Sequence, residues 1–94
     1  MDRLRISDVR LVSGSHANAK TGLVGYISAT LNGALRLEGL ALRRTADDRL
    51  VLSFPARRDS SGRQHPFIRP LNDAARQTIG RQVFQALGLE EALP

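Results

Sequence analysis

The chain has 94 residues, which suits one domain, and we treat residues 1–94 as that single domain. A hydrophobic fraction of 41% excludes a disordered polymer, no apolar run approaches the roughly 20 residues of a membrane span, and the lack of cysteine excludes disulfides and thiolate metal sites. The net charge of +5 comes from arginine, because Lys20 is the only lysine among 14 basic residues.

The N-terminal third predicts two strands. Leu4–Val12 mixes β-branched and apolar residues with charges, which is typical of a strand. Residues 13–22 are rich in Gly, Ser and Asn, and they predict a loop or wide turn. In Leu23–Leu31 the side chains alternate with period two, so this segment predicts the clearest strand of the chain.

A hairpin and a fourth strand are predicted next. Asn32 and Gly33 can both take the positive φ of a type I′ turn, so Leu35–Arg44 is expected to return beside the preceding strand. After a polar turn, the apolar segment Leu50–Phe54 predicts another strand. Pro55 ends it, because proline cannot donate a hydrogen bond to a sheet.

The following segment predicts a charged loop and an edge strand. Residues 57–63 are polar around Ser60, Ser61 and Gly62, which favours a loop. Residues 65–69 could form a fifth short strand, and the flanking prolines Pro66 and Pro70 favour an edge position.

A C-terminal helix begins near Asn72, a plausible N-cap, with Asp73 in its first turn and Gly88 as its C-terminal glycine. Helical spacing places an apolar stripe on one side, made of Ala75, Ile79, Val83, Ala86 and Leu87. A second group is expected to lie mainly away from that stripe: Arg76, Gln77, Gly80, Arg81 and Gln85. Residues 89–94 predict a short turn or tail. Strands followed by a helix predict an α+β fold, with an antiparallel sheet of four to five strands and the helix on one face.

Residues suited to catalysis are scarce. His16 and His65 fall in predicted loop or edge segments without a second metal-ligand residue at the right spacing. Asp47 and Asp48 suit a turn better than a cation site, and Ser60 has no partner base. The sequence therefore predicts no enzyme, no cofactor and no small-molecule substrate. The short polar N-terminus predicts a cytoplasmic protein.

Arginine clustering is the strongest functional signal. The segment from residue 57 to residue 81 holds six arginines against Asp59 and Asp73. A GC-rich genome would explain arginine in place of lysine, but it would not explain why the arginines cluster in this segment. Guanidinium groups bind phosphate in a bidentate manner, so the cluster predicts a polyanionic partner. The alternative is a solvated surface with local ion pairs. The scarcity of aromatic residues disfavours a single-strand binder that stacks bases.

The order of several motifs resembles the stage V sporulation protein G (septation regulator) family. The resemblance covers roughly residues 4–87, and the spacing fits without gaps from about Leu50 to Val83. This chain departs from the family at Arg69, where the family usually has His, at residues 65–67 and at residues 41–44. The matching segments are Ser7–Leu11, Ile27–Asn32, Leu50–Arg58, Gly62, Pro70–Asn72, Arg76 and Ile79.

The resemblance implies a homodimeric α+β domain that binds DNA, and RNA in some members, and regulates gene expression, septation or sporulation. By position it implies binding by Arg57, Arg58, Arg69, Arg76 and Arg81. Together with the charge pattern, the full predicted nucleic-acid-binding set is Arg57, Arg58, Arg63, Arg69, Arg76, Gln77 and Arg81, with no metal and no membrane partner. The alternative hypothesis is a protein-interaction module that uses a sheet edge and a basic surface.

Overall fold

The computed structural model describes residues 3–18 and 22–89 of the chain. It has a four-stranded antiparallel sheet in the order β1-β2-β3-β4, a separate two-stranded hairpin and a C-terminal helix, which confirms the predicted α+β class. The elements are β1 (Ile6–Asn18), β2 (Leu23–Leu31), β3 (Leu35–Arg44), β4 (Leu50–Ser53), β5 (Ala56–Arg58), β6 (Gln64–Pro66) and α1 (Asp73–Leu87).

Strand β1 is longer than predicted. The loop expected at residues 13–22 is wrong as far as Asn18, because Ser13 pairs with Gly25 and Asn18 pairs with Leu23 of β2. Residues 13–18 of β1 lie opposite only residues 23–25 of β2, so a register shift accommodates the additional residues of β1. Pairing with β2 thus overrides the local turn composition. His16 lies in this strand rather than in a loop, and residues 19–21 lie outside the described residues.

The β2–β3 hairpin has the predicted bounds. Asn32 and Gly33 take φ values of 54° and 64°, as a type I′ turn requires, and Ala34 N donates to Leu31 O over 3.0 Å. The Asn32 side chain also accepts a hydrogen bond from Arg5 N at 2.8 Å. The turn is therefore attached to the chain that enters β1.

A bulge in β3 keeps its apolar residues on the helix side of the sheet. Ile27 pairs with Leu40 and Ala29 pairs with Leu37, so three steps along β3 oppose two along β2. Gly39 supplies the positive φ of 76° at this bulge. Leu37 and Leu40 are consequently both buried. They join a core formed by Ile27, Leu37, Leu40, Leu42, Leu52, Ile79, Val83 and Phe84.

Helix α1 has the predicted caps. Asn72 Oδ1 accepts from Ala75 N at 2.9 Å, and Gly88 ends the helix with a φ of 70°. The predicted stripe is partly wrong, because Ala86 is exposed while Gly80 is buried. The fully buried residues of the helix are Ala75, Ile79, Gly80, Val83 and Phe84. The buried face is centred near Val83, and Leu89, which was assigned to the tail, packs against the core.

Gln82 joins the helix to the first strand. Its side-chain oxygen accepts from Ile6 N at 2.7 Å, and its amide donates to Leu4 O at 2.8 Å. Leu4 precedes β1 and Ile6 is its first residue, so both contacts lie where the strand begins. This contact fixes the helix across one face of the sheet. No helix within residues 3–18 and 22–89 is long and apolar enough to cross a membrane.

The segment after β4 forms a hairpin of its own. Residues 57–63 were predicted as a loop, but Arg57 and Arg58 belong to β5, and only residues 59–63 connect it to β6. The predicted strand at residues 65–69 is also displaced, to Gln64–Pro66. It pairs with β5 and does not extend the main sheet. Side-chain hydrogen bonds of Asp59 within the connecting loop and to His65 account for this closure.

Candidate nucleic-acid interface

The β5–β6 hairpin brings three of the predicted arginines together. Arg57 pairs with His65 and Arg58 pairs with Gln64 in the register of the two strands. Arg63 lies at the end of the connecting loop, and all three arginines are exposed. The structure thus concentrates three cationic side chains on one small protruding element.

Asp59 organises the loop that joins the two strands. Its Oδ1 accepts hydrogen bonds from Ser61 N at 2.9 Å, Ser61 Oγ at 2.7 Å and Arg63 N at 3.0 Å. Its Oδ2 lies 2.6 Å from His65 Nε2. One carboxylate therefore ties the loop to β6 and positions Arg63.

Sequence reasoning missed this function of Asp59, which counted only as a charge opposing the arginines. An Asp followed by Ser-Ser-Gly is the pattern of a side-chain-stabilised turn, and that signal could have identified it. Gly62 completes the turn with a φ of 87°. His65, predicted without a chemical role, is a partner of this carboxylate.

Acid is expected to weaken the hairpin. The hydrogen bonds from His65 and Ser61 lower the pKa of Asp59 from 3.8 to about 2. A lowered pKa means that these bonds contribute stability above pH 3.8, and this contribution is lost as the pH falls towards 2. An NMR titration of the Asp59 carboxyl carbon should give a midpoint near 2.

The matched variants for this titration are Asp59→Asn and Asp47→Asn, the second in the exposed β3–β4 turn. Asp59→Asn should shift the amide resonances of the loop and remove their acid transition, whereas Asp47→Asn should leave that transition in place. A normal midpoint for Asp59 would contradict the hydrogen-bond assignment.

Arg76 occupies a different position from the hairpin arginines. It is seven residues from the fully buried Val83, so the two lie only about 20° apart around the helix. The expectation that Arg76 lies away from the apolar stripe is wrong. Its Nη2 donates to Leu52 O at 3.1 Å, and its guanidinium carbon lies 5.8 Å from the centre of the Phe54 ring. The Arg76 side chain therefore packs against the sheet, and its guanidinium group makes its contacts within the protein.

The other predicted binding residues lie on separate elements. Gln77 and Arg81 are exposed on successive turns of α1, together with Gln85, on the side of the helix opposite Val83. Arg69 is exposed in the connection between β6 and α1. The predicted set therefore divides into the hairpin cluster, Arg69 in the connection, a solvent-facing helix surface and the inward-facing Arg76.

A second basic location was not predicted. Arg3 and Arg5 line an open depression of about 430 Å³ beside the β2–β3 turn, with Ser7, Asn32 and Gly33. Both arginines are exposed. These two arginines lie on a part of the chain separate from the hairpin, so they provide a control for charge.

Asp48, which was considered as a cation ligand, has a structural function instead. Asp48 takes a φ of 66° in the β3–β4 turn and forms an ion pair with Arg44 at 2.9 Å. Among the described residues, no three His, Asp or Glu side chains are close enough to hold a metal ion.

Comparison with protein-family models and with curated proteins gave no match to this chain. The family resemblance is therefore carried by the motifs of the sequence alone, and the function derived from it is a proposal.

Proposed function

We propose that this chain is a nucleic-acid-binding regulatory protein of the cytoplasm, acting as a homodimer on DNA, RNA or both. The observation that carries the proposal is the β5–β6 hairpin, which presents Arg57, Arg58 and Arg63 on an exposed element. Phosphate groups suit this element, because each guanidinium can donate two parallel hydrogen bonds to a phosphate.

The regulatory role rests on the family resemblance. The motifs from Leu50 to Val83 resemble those of septation regulators, and the hairpin lies within this segment. Control of gene expression, septation or sporulation is what that resemblance implies. The proposal includes no catalytic step and no cofactor.

Dimer formation is supported by apolar side chains on the main sheet. Val12 and Tyr26 are paired across β1 and β2, and their side chains are 67% and 42% exposed. Both residues lie on the face opposite the helix, because Ile27, the residue after Tyr26, lies in the core and side chains alternate along a strand. A second copy packed on this face would cover them, and it would duplicate the hairpin around a two-fold axis.

A protein-interaction module is the second candidate. Strand β1 is an edge strand of 13 residues, and among the described residues its only strand partner is β2. Such an edge can accept a strand from another protein. A proline introduced into β1 should abolish that kind of complex, which should depend little on salt.

The deciding experiment is a salt series with the purified protein, a labelled DNA duplex and a labelled single-stranded RNA. Three phosphate contacts per protomer predict that log K falls against log salt with a slope of about −3 for the duplex. Sedimentation of the same samples gives the oligomeric state. If neither nucleic acid binds at low salt, the proposed function is wrong and the protein-interaction hypothesis is favoured.

A further inference from the structure

One aromatic side chain of the hairpin lies outside the core. Phe67 follows β6 directly, and its ring is 65% exposed, whereas Phe54 packs against the core and Phe84 lies within it. Ile68 and Leu71 are also exposed, at 42% and 85%. The chain therefore presents exposed apolar residues immediately after the β5–β6 hairpin and its three arginines.

The strand register places Phe67 beside the arginines. Phe67 N donates to Pro55 O at 3.0 Å, which extends the pairing of β5 and β6 by one step. Side chains alternate between the two faces of such a ladder, so Phe67 shares a face with His65 and with the opposing Arg57. The register thus places an exposed aromatic residue and an exposed arginine on the same face of the hairpin.

The charge around this ring is positive. The segment from residue 56 to residue 69 contains four arginines and one carboxylate, Asp59. That carboxylate already accepts hydrogen bonds from the loop and from His65. The surface around Phe67 therefore suits an anionic partner that also has flat apolar faces.

We propose that a single-stranded nucleic acid lies along this hairpin, with one base stacked on Phe67 and its phosphates bound by Arg57 and the neighbouring arginines. The inference rests on the proposed function and makes it more specific. A duplex buries the faces of its bases, so only a single strand can use the ring and the arginines together. The sequence disfavoured base stacking because aromatic residues are few, but the exposed position of Phe67 on the hairpin could not be predicted from their number.

The test compares a labelled oligouridylate of about 12 nucleotides, within the range that single-strand binders cover, with a duplex of the same length. Phe67→Leu removes the ring but keeps an apolar side chain, and Phe67→Tyr keeps the ring. Leu35→Ala is the matched control, because Leu35 is 61% exposed at the start of β3 and is paired with Leu31, which packs against the core, so it lies outside both the hairpin and the proposed dimer face.

Phe67→Leu should weaken single-strand binding about tenfold or more, as expected for the loss of one stacked base. Binding of the duplex should change less than twofold, and Phe67→Tyr and Leu35→Ala should behave like the parent. This combination of results would support the inference.

Other outcomes overturn it. If Phe67→Leu leaves single-strand binding unchanged while the parent binds either ligand, the stacking site is wrong and the proposed function stands. If the parent binds neither ligand, both proposals are wrong. If Phe67→Leu turns a dimer into a monomer in sedimentation, the ring belongs to a contact with a second copy of the chain.

Discussion

Replacing Arg57, Arg58 and Arg63 together with glutamine is expected to remove most nucleic-acid binding and to leave the fold intact. The three side chains are exposed on the hairpin, outside the core. Glutamine keeps much of the side-chain length but cannot neutralise phosphate. The slope of log K against log salt should flatten by about 3 for each protomer bound to a duplex, because each lost phosphate contact removes about 0.9. Fluorescence anisotropy across a salt series measures both the affinity and the slope.

The matched control removes the same charge elsewhere. Arg3, Arg5 and Arg49 are also exposed, and the first two line the depression beside the β2–β3 turn. Their triple replacement with glutamine should change the slope much less than the hairpin variant does. Equal losses in the two variants would mean that binding follows net charge, and a larger loss in the control would move the interface to the depression. Circular dichroism and thermal melting show whether each variant is folded.

The parts of the fold that could be predicted have strong local signals. The β2–β3 hairpin combines alternating apolar residues with Asn32 and Gly33 at the turn, and its bounds are confirmed. The helix has an N-cap at Asn72 and a terminal glycine at Gly88, and both are confirmed. At these positions the backbone conformation depends on a few neighbouring residues, so the sequence pattern was sufficient.

The parts that were missed depend on partners distant in the chain or on a single side chain. The continuation of β1 to Asn18 follows from pairing with Leu23, although its own residues favour a turn. The β5–β6 hairpin depends on Asp59. Its hydrogen bonds to the loop and to His65 produce no hydrophobic periodicity in the sequence. The hydrophobic periodicity and the composition of a segment do not indicate these distant pairings or single hydrogen bonds.

The candidate site was predicted as a segment and not as a surface. The sequence located the arginines between residues 57 and 81, but it grouped side chains that the structure separates. Arg57 and Arg58 lie on the exposed hairpin, Arg81 lies on the outer face of α1, and Arg76 lies on its inner face. Phe67 was treated as part of an edge strand because exposure cannot be read from one aromatic residue between two prolines.

Arg76→Ala is expected to lower the free energy of unfolding by about 2–4 kcal/mol and to leave the nucleic-acid affinity of the folded protein unchanged. A hydrogen bond from a charged donor contributes about 1.5–3 kcal/mol, and a cation–π contact adds about 0.5–2 kcal/mol. Arg76 makes both, through Leu52 O and the Phe54 ring. Urea unfolding measures the stability, and anisotropy on the folded variant measures the binding.

Arg81→Ala is the control for this helix, because Arg81 is exposed one and a half turns later and its removal takes away the same charge. Its free energy of unfolding should change by less than about 0.5 kcal/mol, as is usual at exposed surface positions. The family resemblance assigns Arg76 to the binding surface, whereas its position against β4 assigns it to the fold. If Arg76→Ala unfolds like the parent protein but binds nucleic acid more weakly, the guanidinium leaves the sheet to reach phosphate, and the structural assignment is wrong. If stability falls and affinity does not, the binding surface of this chain is limited to the exposed arginines.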